Sequence, residues 1–365
     1  MSKFTDIVND IDNVNSLDIS TKNTTGLQRS ISNQERGSND NLVLFEEKET
    51  QFLANIKKTT PNNVTDSHDP GYSYKKSMKV NGKYRQYTED RNIKFSFDRY
   101  YVIGSTDGHG GSPRMSILAS GSFPVYFTTN VKNSPTIEIA LLKTFEDINI
   151  LAKTKGGISG TTLTVCVIDI ILKRAYIANL GDSVTQIFRR NDTQFESVFR
   201  TVDHDANNLS EQARLTELFG KRVSFNYPNN FKAGSLYAKI YHDEIMVVGC
   251  IGDFQFPEGF IKRIPDISTV DLQKGDVIIC SSDGFYESFN PTINMLCGCR
   301  NEQEIANDLN ELYEVDKLYD SPTLASDLME RHLHKIVDLI GCGINAITTV
   351  KTNRDNNTIT TFVVT

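Results

Sequence analysis

Four acidic residues stand beside glycine or asparagine at the ends of strand-like apolar runs. Asp107-Gly108 follows YYVIGST, Gly181-Asp182 follows AYIANL, Asp283-Gly284 follows VIICSS, and Asp355-Asn356 precedes the last such run. A carboxylate at such a turn can point into a shared space at a sheet edge, while the small neighbour lets backbone approach a ligand closely. One such pair is more often a plain turn, but four of them beside strong strands predict a shared site.

Oxygen ligands of this kind suit hard divalent cations such as Mg²⁺ and Mn²⁺. Two ions close together need several carboxylates, at least one of which bridges them, and the four turns supply enough. Arg85, Glu89 and Asp90 in GKYRQYTED lie a short hairpin upstream of Asp107. They add a further candidate ligand and a guanidinium that can bind phosphate. The residues therefore predict a divalent-metal site with a phosphate-binding guanidinium beside it.

The elements that must hold these turns alternate between strands and long helices. Apolar periodicity predicts strands over 94–106, 161–172, 174–180, 184–190, 244–250, 276–282 and 358–365. Helices are predicted over 135–153, with Ser134 as its cap, and over 301–313 and 324–340. Hairpin-spaced strands with a few long helices predict an α+β fold, an antiparallel β-sandwich flanked by helices on both sides.

Residues 1–78 differ in composition from the rest of the chain. They are rich in Ser, Asn, Thr and Asp and poor in aromatic residues, so a largely disordered extension is predicted, followed by a catalytic domain over 79–365. One stretch near 42–58 places Leu42, Phe45, Phe52 and Ile56 on one helical face. This short helix either packs on its own domain or docks a partner.

Composition and charge exclude several classes of protein. The 365 residues carry 39 Lys and Arg against 46 Asp and Glu, a net charge of -7, which gives no basic field for nucleic acid. The N-terminus lacks a signal-peptide pattern, and no apolar run approaches a membrane span of roughly 18 residues. Cys297-Gly298-Cys299 lacks zinc-ligand spacing, so no zinc is predicted. The chain is expected to be cytoplasmic or nuclear, with neither membrane nor nucleic acid as partner.

Eight motifs in order resemble the protein phosphatase 2C family of metal-dependent serine/threonine phosphatases. They are R-x-x-x-E-D at 85–90, D-G-H-x-G at 107–111, S-G-[ST]-T at 159–162, G-D-S at 181–183, D-H at 203–204 with E-x-x-R at 211–214, L-G-D-F at 251–254 with Ile for Leu, S-D-G at 282–284 and D-N-x-[TS] at 355–358. Together they cover roughly residues 80–365. The resemblance implies the family's four-layer fold.

The resemblance also implies roles for the site residues. Asp107 would bridge two metal ions, Mg²⁺ or Mn²⁺, which Asp283 and Asp355 complete on one side and Glu89 with the Gly108 carbonyl on the other. Asp182 would hold a third, weaker ion, while Asp90 and Asn356 would support the ligands from behind. Arg85 would bind phosphate and His109 would act as general acid. A water shared by two metals loses its proton near neutral pH and becomes the nucleophile.

The function that follows is hydrolysis of phosphoserine and phosphothreonine in phosphorylated proteins, by a monomer. The alternative is a catalytically weak or inactive module that sequesters phosphoproteins; phosphatase-like modules of that kind typically lose ligand aspartates, and here all are present. The chain departs from the family at Val248-Gly249-Cys250, where S-R-A is common, at Tyr286, where Trp is common, and across the segment 221–244, where a variable flap lies. A serine esterase is excluded because residues 157–161 do not form a nucleophile elbow.

Overall fold

The computed structural model describes residues 64–69, 77–80, 83–86, 89–155, 158–227, 236–290, 295–299, 302–314, 323–340 and 357–364. For 64–69, 77–80, 83–86, 287–290, 295–299, 333–340 and 357, the description is limited to the backbone.

The strands, numbered in chain order, are β1 (Val64–Asp69), β2 (Ser77–Val80), β3 (Lys83–Gln86), β4 (Arg91–Phe97), β5 (Tyr100–Thr106), β6 (Gly108–His109), β7 (Gly160–Thr161), β8 (Leu163–Asp169), β9 (Arg174–Leu180), β10 (Val184–Arg190), β11 (Phe195–Arg200), β12 (Val223–Asn226), β13 (Tyr237–Ile240), β14 (Asp243–Ile245), β15 (Ile251–Gly252), β16 (Asp266–Asp271), β17 (Val277–Ser281), β18 (Glu287–Asn290), β19 (Met295–Cys299) and β20 (Asn357–Val363). The α-helices are α1 (Arg114–Asn133), α2 (Ile137–Lys155), α3 (Leu209–Phe219), α4 (Glu302–Glu314) and α5 (Leu324–Ile340).

Two five-stranded antiparallel sheets form the centre of the fold. The first has the order β16-β9-β8-β5-β4 and the second the order β1-β20-β17-β10-β11. Alternate residues of β17 face opposite ways, because side chains along a strand have a period of two. Ile278 and Cys280 pack with Ile103 and Ile177 of the first sheet, whereas Ile279 belongs to a second core on the other face. The two sheets therefore pack face to face as a sandwich.

Helices cover both outer faces of this sandwich. On the first sheet, the ring of Phe95 contacts the rings of Phe123 and Phe127 from α1. On the second sheet, Leu309 of α4 and Leu328 of α5 share the outer core with the sheet's apolar residues. The result is four layers, helices, sheet, sheet and helices, which confirms the predicted α+β fold.

Local chemistry explains where the predicted elements differ from the observed ones. The strand predicted over 94–106 is the hairpin β4–β5, which turns at Asp98 with a positive φ of 54°. Helix α1 was not predicted, since Gly121 and Pro124 normally interrupt helices. Its buried residues include a run from Met115 to Ser120, so packing decides its conformation. The strand predicted over 244–250 is shorter, because β14 ends at Ile245.

Strand β1 lies inside the segment that was predicted as an N-terminal extension. Val64–Asp69 pairs antiparallel with β20 and forms one edge of the second sheet. The sheet therefore begins before residue 79. The helix predicted near 42–58 lies outside the described residues. None of the described helices combines the length and the apolarity needed to cross a membrane.

Candidate active site

Three two-residue strands bring three of the sequence motifs together. In the small sheet of β6, β7 and β15, Gly108 pairs with Thr161 and His109 pairs with Gly160. On the other side of β7, Ile251 pairs with Thr161 and Gly252 with Gly160. The turn after β5, the start of β8 and the turn after β15 therefore meet at one end of the sandwich.

Thr162 connects the turn of Asp107 to the turn of Asp182. The Thr162 amide donates to the Asp107 carbonyl at 2.9 Å, and the Asp107 amide donates to Thr162 Oγ1 at 2.8 Å. Thr162 Oγ1 also lies 2.6 Å from the hydroxyl oxygen of Ser183, the residue after Asp182. All of these groups belong to buried or half-buried residues. The two aspartates are thus held on backbone that a shared hydrogen-bond network fixes.

Asp283 enters the site from the second sheet. Val184, two residues after Asp182, pairs with Ser281, two residues before Asp283. The Ser282 amide donates to the Thr358 carbonyl at 3.1 Å, and the Thr358 amide donates to Ser282 Oγ at 3.0 Å. This reciprocal pair fixes the start of β20 against the turn of Asp283. Asp355 and Asn356 lie outside the described residues.

Glu89 and Asp90 lie against the turn of Gly108. A Cβ atom at Gly108 would stand 2.7 Å from the Glu89 carbonyl oxygen, so only glycine allows this approach. The Ser116 hydroxyl of α1 donates to the same carbonyl. Both acidic side chains are buried. Arg85 lies in β3, where it pairs with Met78, and its side chain lies outside what is described.

Three other carboxyl groups act electrostatically on the carboxyl group of Asp182. We name Asp182, Asp203, Asp205 and Asp283 the acidic cluster. Burial raises the pKa of Asp182 well above its usual range, and repulsion from the other three raises it further. Burial likewise raises the pKa of Asp203, although Arg200 opposes this. Asp203 Oδ1 is buried and makes no hydrogen bond within the described residues. Carboxylate oxygens are hard donors of the kind that Mg²⁺ and Mn²⁺ prefer.

A second pair of ionisable groups lies at the small sheet. We name His109 and Asp253 the histidine corner. His109 Nε2 and Asp253 Oδ2 are 2.5 Å apart, and Gln255 donates to Asp253 Oδ1 at 3.3 Å. Burial opposes ionisation of Asp253, but His109 outweighs it, with help from the Cys250 thiol and Gln255, so the pKa of Asp253 is lowered. This carboxylate already has a partner for its charge.

Backbone conformation presents Asp253 to His109. Gly252 and Asp253 both have positive φ, 100° and 51°, and an aspartate in the left-handed region is uncommon. Arg263 holds the turn by donating to the carbonyls of Cys250 at 2.8 Å and Asp253 at 3.3 Å. A Cβ atom at Gly160 would overlap both His109 Nε2 and Asp253 Oδ2. The corner therefore needs glycine at 160.

Comparison with known proteins places this arrangement in a family. Residues 98–309, more than half of the chain, match the family described as Protein phosphatase 2C. The chain belongs to the protein phosphatase 2C family. Membership in it supports a metal-dependent protein phosphatase.

Solved structures share the protein phosphatase 2C fold with this chain. A sex-determining protein of C. elegans superposes with a TM-score of 0.61 at 16% identity, over 96% of this chain and 77% of that chain. A serine-threonine phosphatase 2C from Toxoplasma gondii gives a TM-score of 0.59 at 14% identity, over 82% and 94% of the two chains. No protein of curated function matches in sequence.

The departures from the family pattern have local explanations. Gly249, where the protein phosphatase 2C pattern commonly has arginine, packs under His204, and a Cβ atom there would stand 2.8 Å from His204 Cβ. His204 in turn accepts from the Gly181 amide at 3.2 Å and bonds Asp266 at 2.8 Å. Tyr286 donates its buried hydroxyl to Gln186 at 2.9 Å. In the variable flap, β12, β13 and β14 form a separate three-stranded sheet.

Three participants received no role from sequence reasoning. Asp253 follows an apolar run and a glycine, as Asp182 does. The same sequence pattern could therefore have identified it as a candidate site residue. Asp203 belongs to the D-H motif at 203–204, to which the resemblance assigns no role. Asp205 has no motif signal, and its place in the acidic cluster follows from the turn between β11 and α3.

Proposed function

We propose that the chain is a metal-dependent phosphoprotein phosphatase that hydrolyses phosphoserine and phosphothreonine. The observation that carries this proposal is the position of the acidic cluster: its carboxyls are close enough to raise the pKa of Asp182, and the Thr162 network links its turn to that of His109. Its substrates would be phosphorylated proteins, and it would act as a cytoplasmic or nuclear monomer.

The residues proposed to hold metal offer hard oxygen donors only. Asp107, Asp283, Asp355, Glu89 and the Gly108 carbonyl would hold two Mg²⁺ or Mn²⁺ ions. Asp182 would serve a third ion, with Asp90 and Asn356 supporting the ligands. When bound, the ions supply charge neutralisation on the phosphoryl oxygens and lower the pKa of the attacking water. The buried position of Glu89 against Gly108 supports this arrangement.

His109 is proposed to protonate the departing seryl or threonyl oxygen. An alkoxide leaves poorly, so a positioned acid accelerates the step. Asp253 accepts from Nε2 at 2.5 Å and fixes the ring's orientation, which leaves Nδ1 as the nitrogen for proton transfer. Asp253 is therefore a positioning residue. Arg85 is proposed to bind the phosphate dianion, as a guanidinium can through two parallel hydrogen bonds.

The test is release of phosphate from a phosphothreonine peptide by the full chain. Chelation should abolish release, and Mn²⁺ or Mg²⁺ should restore it, because the carboxylates cannot bind phosphate without cations. In excess Mn²⁺, Asp283→Asn should release no more phosphate than the chelated wild-type protein. Asp243→Asn, which changes an exposed residue, should behave as wild type. Full turnover in excess chelator contradicts the proposal, and no turnover under any metal favours the sequestering module instead.

A further inference from the structure

A thiol lies beneath the histidine corner. Cys250 is fully buried and immediately precedes β15. Its Sγ donates to Asp253 Oδ2 at 3.2 Å, the same oxygen that contacts His109 Nε2. Ligand atoms of the three side chains all lie within 4.8 Å of one another. A sulfur, an imidazole nitrogen and a carboxylate oxygen therefore lie close together.

This donor set differs in kind from that of the acidic cluster. Thiolate and imidazole are ligands that zinc prefers, whereas Mg²⁺ and Mn²⁺ favour oxygen. With zinc bond lengths of about 2.0–2.3 Å, the ligands of a tetrahedral site stand roughly 3.3–3.7 Å apart. The contact of 3.2 Å between Cys250 and Asp253 is already near that range, and the 2.5 Å contact of His109 needs to widen by less than about 1 Å.

The surroundings allow that small adjustment. The His109 side chain is 27% exposed while Asp253 is 2% exposed, so the histidine is the member that can move. Gly110 and Gly111 follow it with φ of 86° and 78°. Arg263, by contrast, holds the backbone carbonyls of the other two residues. Two ligands are thus fixed and the third is adjustable.

We infer that His109, Cys250 and Asp253 form a Zn²⁺ site, chemically distinct from the acidic cluster. On binding, the Cys250 thiol and the imidazole Nε2 each release to solvent the proton they now share with Asp253. The sulfur, the nitrogen and a carboxylate oxygen then bind the ion. A fourth position opens on the exposed side of His109, where water can complete the tetrahedron.

Occupation of this site would inhibit the phosphatase, a consequence that rests on the proposed function. Zn²⁺ takes the Nε2 lone pair, so the ring keeps one proton, on Nδ1, and would have to become an imidazolate to give it up. The general acid is therefore lost. The site depends on Cys250, which stands where the resembled family commonly has alanine.

The test of binding uses Co²⁺ as a spectroscopic probe for zinc in the full-length, metal-free, reduced protein. A thiolate-to-cobalt charge-transfer band in the near ultraviolet should appear, and an equivalent of Zn²⁺ should remove it while excess Mg²⁺ should not. Cys250→Ser and Cys250→Ala should lack the band. The control Cys280→Ser, which changes a buried thiol bonded to Thr185, should keep it. A band that persists without Cys250, or no band in wild type, overturns the inference.

Inhibition is measured separately, with each variant's rate normalised to its own rate in Mn²⁺ alone. Zn²⁺ should inhibit Cys250→Ala with at least about a tenfold weaker inhibition constant than wild type, a change equal to about 1.4 kcal/mol. Equal sensitivity of both proteins contradicts an inhibitory role for the site. If the wild-type chain has no phosphatase activity, the cobalt measurement still decides whether the site exists, so the two proposals fail separately.

Discussion

Two Gly-Asp pairs in this molecule share a glycine with positive φ and have opposite electrostatics. Gly181 follows β9 and Gly252 ends β15, and both glycines have positive φ, 113° and 100°. The pKa of Asp182 is raised by burial and by three neighbouring carboxyls. The pKa of Asp253 is lowered, because His109, the Cys250 thiol and Gln255 outweigh its burial.

The difference shows what each turn requires from outside the chain. The carboxylates of the acidic cluster repel one another, so this region gains most from cations. In the histidine corner, Asp253 has a partner for its charge within the protein, which agrees with its proposed role in positioning His109. A local sequence pattern therefore predicts where an aspartate lies, and its neighbours decide whether its pKa is raised or lowered.

Among changes outside the acidic cluster, the largest expected effect on turnover concerns the histidine corner. His109→Ala should lower turnover of a phosphothreonine peptide by roughly 10² to 10⁴, the usual contribution of a general acid. The loss on an aryl phosphate should be much smaller, since that leaving group needs no proton. The exposed His242→Ala is the matched control. Equal losses on both substrates would show that His109 is not the general acid. They would also weaken the contrast between the two turns.

A steric change at Gly160 should affect the histidine corner without affecting metal binding at the acidic cluster. Gly160→Ala places a methyl group against His109 Nε2 and Asp253 Oδ2, so peptide turnover should fall about tenfold to a hundredfold, as when a supporting contact is lost. Binding of Mn²⁺, measured by calorimetry, should remain near wild type because the acidic cluster is untouched. Gly121→Ala, with open space at its Cβ, should leave activity unchanged. Loss of Mn²⁺ binding in Gly160→Ala would show that the regions are not separable.

The smallest effect on chemistry is expected at the N-terminus. All residues of the acidic cluster and of the histidine corner lie beyond Glu89. Deletion of residues 1–58 should therefore leave peptide turnover near wild type. Deletion of residues 1–76 also removes the edge strand β1 from β20, and the melting temperature should fall further. If the shorter deletion abolishes turnover without unfolding the protein, a catalytic element lies in the segment predicted as an extension.

Sequence reasoning predicted the layers of the fold and the turns better than it predicted contacts. Short alternating or apolar runs identified β9, β10 and β17, which are buried along most of their length. Helix α1 was not predicted because Gly121 and Pro124 disfavour a helix locally, whereas tertiary packing stabilises it. The roles given to Asp107, Asp283 and Glu89 remain predictions. The pairing of Asp253 with His109 joins residues 144 positions apart, and no local pattern encodes that contact.

The most direct test of the contrast is the melting temperature of two metal-free variants near neutral pH. A raised folded pKa means that ionised Asp182 destabilises the fold once pH exceeds its unfolded value, whereas a lowered pKa means that ionised Asp253 stabilises it. Asp182→Asn should therefore raise the melting temperature of the chelated protein, and saturating Mn²⁺ should reduce or reverse that gain. Asp253→Asn should lower it, with or without Mn²⁺. A fall in both variants in the absence of metal would contradict the account.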